Sequence, residues 1–143
     1  MNVRAFFYFP YFCAKSLNTL VHPQDIFTIS SHKQFEKIAL KVFRFQYENN
    51  KVYKEFCDFL KTDVQKVKSL QQIPFLPIQF FKSHEVVSNT NEIQETFTSS
   101  GTTGMITSQH LVTDVSLYEQ SYRLAFSECY GNIEDYAVLA LLP

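Results

Sequence analysis

Residues 98 to 104 read Thr-Ser-Ser-Gly-Thr-Thr-Gly, a run in which each position is a hydroxyl carrier or a glycine. Such a stretch has too little side chain to pack a core. Gly101 and Gly104 open backbone angles closed to other residues and let a ligand approach the main chain. The hydroxyls of Ser99, Ser100, Thr102 and Thr103 can each donate a hydrogen bond to an anionic oxygen, and successive N–H groups of such a loop form an anion-binding nest. The combination suits the phosphates of a nucleotide, although the composition alone also describes a flexible polar surface loop. Met105 stands where a Walker A loop carries its lysine, which argues against a P-loop NTPase.

The flanks of this run predict a hairpin around it. Ile93 to Phe97 alternates enough to enter as a strand, and Gln109 to Val112 is the returning strand. Asp114 is placed as the N-cap of a helix from about Val115 to Tyr130, with Leu117, Tyr118, Tyr122, Leu124, Ala125 and Cys129 among its apolar positions. Gly131 follows as its C′ residue. Tyr136 to Leu142 is nearly all apolar and short, the pattern of a buried parallel strand covered on both faces.

The first half reads as helical. Ser30-Ser31 followed by Gln34 offers an N-cap, and Phe35, Ile38, Ala39, Val42 and Phe43 then recur on one helical face. Asn49-Asn50 predicts a break, and a second helix over about Lys51 to Leu60 is expected to bury Tyr53, Phe56 and either Phe59 or Leu60. Val64 to Leu70 suits a short third turn. Pro74 and Pro77 bar a regular helix from Ile73 to Phe81 and favour an extended, buried passage. Phe80-Phe81-Lys82 fits a short strand or a helix start, and Glu85-Val86-Val87 a further strand.

Composition bounds the rest. At 143 residues and 45% hydrophobic content there is room for one globular domain, and 15 Phe with 8 Tyr call for an extensive core. A net charge of −1 gives no footprint for nucleic acid or an anionic membrane. Cys13, Cys57 and Cys129 are odd in number and widely spaced, and His22, His32, His84 and His110 are equally scattered. Neither a disulfide framework nor a zinc site is indicated, and a reducing cytoplasm is the expected location. Cys57 falls in a helical apolar pattern and is expected to be buried. The aromatic stretch from Ala5 to Ala14 is interrupted by Pro10, is too short to span a bilayer and lacks a small-residue cleavage site.

The loop resembles the phosphate-binding motif of the adenylate-forming enzymes, the acyl-CoA synthetase and ligase superfamily. Its doubled serine, Ser99-Ser100, is similar to the variant in the acyl-protein synthetase (LuxE-like) family. Phe43-Arg44-Phe45-Gln46-Tyr47-Glu48-Asn49-Asn50, Ile73-Pro74-Phe75-Leu76-Pro77-Ile78 and Phe80-Phe81-Lys82-Ser83 resemble segments of the same family, in the expected order. The resemblance covers residues 27–143 and leaves 1–26 as an atypical N-terminal extension. It implies an α/β fold, the N-terminal portion of an adenylate-forming enzyme: a helical half, then a strand–phosphate loop–strand–helix–strand unit. In the family most of the catalytic domain follows the last of these strands, so the chain is expected to be an N-terminal part.

The activity implied is ATP-dependent activation of a carboxylic acid, a fatty acid in this family, as an acyl-adenylate for transfer to a thiol on a carrier or protein. ATP and Mg²⁺ are implied with it. By this carry-over Thr98, Ser99, Ser100, Gly101, Thr102, Thr103 and Gly104 contact phosphate, and no catalytic residue is assigned. The superfamily loop ends in Pro and Lys, but Met105-Ile106 stands here. His110 offers a donor nearby or simply packs on its strand, and Lys82 reaches the loop only if the fold brings it there. Two alternatives stay open: a truncated, inactive relative that needs a partner chain, and a small α/β domain holding some other phosphate ligand.

Overall fold

The computed structural model describes residues 22–88, 92–100, 106–137 and 139. Short helix α1 (Gln24–Phe27) leads into α2 (His32–Asn49) and α3 (Lys51–Phe59). A 3-10 turn (Leu70–Gln72) and a one-turn helix α4 (Phe80–Ser83) precede the strands β1 (Glu95–Thr98) and β2 (Gln109–Val112). Helix α5 (Val115–Tyr130) and a 3-10 turn (Ile133–Asp135) follow. The architecture is mixed helix with a small two-stranded sheet.

Helix α2 starts where the expected cap lies. The Ser31 hydroxyl accepts from the Gln34 amide, and the Gln34 side chain reaches back to accept from the amide and hydroxyl of Ser30. No glycine or proline interrupts the next four turns, and the helix buries two adjoining faces. Ala39 and Phe43 join Tyr53 and Cys57 of α3 with Val67 and Ile73, the main core. Val42 and Phe45 form a second cluster against Ile26 of α1 and Leu117 of α5. Burial of one such large side chain contributes about 2 kcal/mol.

Asn50 turns the chain between α2 and α3. Its backbone is extended, its Oδ1 accepts from the Tyr53 amide at 2.9 Å as the α3 cap, and its Nδ2 donates to the Ser88 hydroxyl at 3.3 Å. Ser88 Oγ in turn donates to Gln46 Oε1. All three residues are buried. Buried polar groups must be satisfied, so this triad ties the helix junction to the segment that leads toward β1.

Helix α3 ends earlier than its apolar pattern suggests. Lys61 adopts φ 56°, the Thr62 amide donates to the Cys57 carbonyl and the Lys61 amide to that of Asp58. This Schellman arrangement turns the chain out. Phe59 and Leu60, one of which was expected inside, are therefore both exposed, and Cys57 takes the inner position beside Tyr53 and the half-buried Phe56. Burial raises the Cys57 thiol pKa.

Three expected features differ. The proline passage from Ile73 buries only its first residue, because Phe75 and Ile78 face solvent while Tyr53 holds the chain by donating to the Pro74 carbonyl at 2.6 Å. Phe80 to Ser83, by contrast, takes the helical of its two expected forms. Residues 85–87 form no strand, since no described segment pairs with them, and Val86 is buried as an isolated anchor next to Ser88. Of the strand expected over 136–142, Tyr136, Ala137 and Leu139 are described; they are exposed and unpaired in any ladder, and the others lie outside the described residues. Tyr136 instead packs edge-on against Phe126, and its hydroxyl donates to the Tyr130 carbonyl.

Two stability measurements follow from this packing. Replacing Asn50 with Ala removes the α3 cap and a donor to buried Ser88, and urea unfolding should show a loss of about 1–3 kcal/mol. Asn50→Asp keeps the cap acceptor but buries a charge in place of the donor, so it should rescue none of that loss; full rescue would show that the Ser88 bond contributes nothing. Burial also pushes the Tyr53 hydroxyl far above its usual range. Its contribution is therefore complete below pH ~10 and declines as pH rises past the unfolded value. The stability of Tyr53→Phe should fall less steeply over that alkaline range than that of the parent.

Candidate phosphate-loop site

The hairpin forms as its flanks suggest. β1 and β2 pair antiparallel, with Thr98 opposite Gln109 and Glu95 opposite Val112. β1 is exposed along its length, whereas Leu111 and Val112 of β2 are buried and seat the hairpin. Gln94 fastens its base: its amide donates to the Val112 carbonyl at 2.8 Å, and its side-chain oxygen accepts from the Val115 amide at 2.9 Å. Asp114 caps α5 through the Leu117 amide, and Phe97 stacks on Tyr118 of that helix at 4.9 Å.

The neck continues one pair beyond the strands. The Ser99 amide donates to the Ser108 carbonyl at 3.0 Å, and the Ser108 amide donates to the Ser99 hydroxyl oxygen at 3.0 Å. Ser99 therefore uses a lone pair to close the neck and keeps its O–H for donation elsewhere. Of the seven loop residues, Thr98, Ser99 and Ser100 are described and all are exposed; Gly101, Thr102, Thr103 and Gly104 lie outside the described residues.

Beside the neck runs an open groove of about 410 Å³ between α4 and the approach to β2. Phe81, Lys82, Ser83, His84 and Glu85 form one wall, and Ile106, Thr107 and Gln109 the other. Thr107 and Gln109 are the chain neighbours of Ser108, so groove and loop neck share one backbone segment. The fold thus sets Lys82 across the groove from Thr107 and Gln109, the chain neighbours of Ser108. His110 packs on its strand, stacked on Phe81 at 5.1 Å. The Ser83 hydroxyl lies 2.8 Å from His84 Nδ1, and the His84 ring stacks on Phe80.

Among the described residues no group of three His, Cys, Asp or Glu side chains is arranged to hold a metal ion, and no helix is long and apolar enough to cross a membrane. Cys57 is sealed in the core and Cys129 is exposed. Nothing in periodicity marked the groove; the signal was the Phe80–Ser83 segment, which supplies three of the five residues of its longer wall.

The neck makes a direct prediction. Ser99→Ala removes the acceptor of the Ser108 amide, so that amide should exchange with solvent at least about fivefold faster, as expected for loss of a bond of about 1 kcal/mol. Ser99→Thr should restore protection. Equal exchange in all three proteins would show that the hydroxyl does not close the neck.

Similarity to known proteins assigns the chain to a family. The profile of the family described as acyl-protein synthetase, LuxE, matches residues 12–131. A long-chain-fatty-acid–luciferin-component ligase of Photorhabdus luminescens is 37% identical over 71 residues, covering 49% of this chain and 60% of that protein. One of Vibrio harveyi is 32% identical over 85 residues, covering 58% of this chain and 22% of that protein. The matched stretch is thus under two thirds of each relative's own length. No solved structure matches the chain. With the family profile spanning the helical half, the groove and the hairpin together, the chain belongs to the acyl-protein synthetase (LuxE) family.

Proposed function

We propose that this chain supplies the phosphate-holding part of an enzyme that activates a long-chain fatty acid with ATP and passes the acyl group to a thiol. The observation that carries this reading is a hairpin whose neck is closed between Ser99 and Ser108 and whose connecting sequence is rich in hydroxyls and glycine, in a chain of the acyl-protein synthetase family. The names of the two relatives support a fatty acid as the substrate class.

In the reaction a carboxylate oxygen attacks the α-phosphorus of ATP. The bond from that phosphorus to the bridging oxygen of the β-phosphate breaks, and pyrophosphate leaves with the electron pair. The protein's task is to hold the phosphates in line and to offset negative charge. Thr98, Ser99, Ser100, Thr102 and Thr103 offer hydroxyl donors for this, and Gly101 and Gly104 let the main-chain N–H groups close on the β- and γ-phosphates. Mg²⁺ belongs to the reading through the phosphates it accompanies; since no described cluster is built to hold it, no step is assigned to it.

A second reading is a catalytically silent relative, one that a family C-terminal portion does not restore and that serves by docking on another partner chain. It is favoured by the exposed Tyr122, Leu124 and Tyr130 on α5.

ATP–pyrophosphate exchange with a long-chain fatty acid tests both readings, on the chain alone and mixed with a C-terminal portion of a family member. The chain alone should give no exchange. The mixture should give exchange that Thr102→Ala and Gly104→Ala abolish. Exchange that survives both substitutions would sink the assignment of the loop, and none in either sample would favour the silent relative.

A further inference from the structure

We propose that Lys82 is the counter-charge of the phosphate loop: the groove beside the neck takes the terminal phosphates of a polyphosphate, with Lys82 as its cation. This rests on the phosphate reading of the loop and adds to it a residue and a direction of approach.

The loop itself offers only neutral donors, whereas a polyphosphate brings several negative charges that need offsetting. Of the eight groove-lining residues only Lys82 carries a permanent positive charge. It sits in the last turn of α4 and makes no ion pair among the described residues. The opposite wall supplies the Thr107 hydroxyl and the Gln109 amide, from the segment that the Ser99 hydroxyl bonds. A phosphate chain lying in the groove therefore meets neutral donors on one side and a cation on the other. Phe81 and Ile106 complete the walls with apolar surface.

Glu85 lines the same groove and bears the opposite charge. It opposes anion binding, so the groove carries two residues whose removal should act in opposite directions. Loss of fold or general loosening would not produce such a pair of effects.

Calorimetric titration with inorganic pyrophosphate, and separately with tetradecanoate, provides the test. Parent, Lys82→Gln, Lys82→Arg, Glu85→Gln and the loop variant Ser100→Ala/Thr102→Ala are compared, with far-UV circular dichroism to check each fold. Pyrophosphate should bind the parent, at least about tenfold more weakly to Lys82→Gln, and within about threefold of parent to Lys82→Arg. Glu85→Gln should bind it more tightly, and these differences should shrink as salt rises. If Lys82→Gln binds pyrophosphate like the parent while the loop variant loses it, the role of Lys82 is overturned and the loop reading stands. If Lys82→Gln loses tetradecanoate but keeps pyrophosphate, the groove serves the acid's carboxylate and the proposal fails. If the parent binds no pyrophosphate at millimolar concentration, both the loop reading and this inference fall.

Discussion

The buried contact between Gln46, Ser88 and Asn50 is the point on which the rest of the structure turns. Asn50 ends one helix, begins the next and donates to Ser88, while Gln46 accepts from the Ser88 hydroxyl one turn back along α2. Three polar side chains removed from water are costly unless each finds partners, and here they find one another. The contact fixes the far end of the segment from α4, and with it the groove wall that carries Lys82. Helical packing and the position of a charged side chain in that wall are thus parts of one arrangement.

The capped elements were legible in the sequence because their determinants are local. Ser31 with Gln34, Asn50 at the helix break and Asp114 at the start of α5 each act on amides two or three residues away. The hairpin was legible for a related reason, since its strands flank a run that cannot pack. What failed depends on distant parts of the chain. Residues 85–87 have the composition of a strand, but no partner edge lies beside them. Phe59 and Leu60 fit an apolar helix face, yet the left-handed turn at Lys61 carries the chain out before that face can be covered. Nothing in the sequence marked Gln46 and Ser88 for burial, because polar residues read as surface until a fold encloses them.

The site divides the same way. The hydroxyl and glycine run was recognisable from its composition and from its likeness to a known loop, neither of which needs tertiary structure. The groove was not. Lys82 is far from Thr107 and Gln109 along the chain, and only the packing of α4 against β2, through Phe81 and His110, sets it across a groove from them. His110, one candidate for a donor to the loop, is also the ring on which the lysine-bearing helix rests.

The closed neck has an evolutionary consequence. Ser99 and Ser108 are the same residue type, facing each other across the hairpin, yet they are constrained differently. Ser99 participates through its hydroxyl, so drift at that position is confined to side chains that place an acceptor at the same point. Ser108 participates through its main chain and is otherwise held only by being buried. Related chains that share this hairpin are thus free to exchange the second serine among small residues while the first stays put, and a family pattern showing one hydroxyl where this chain has two would be the trace of that asymmetry.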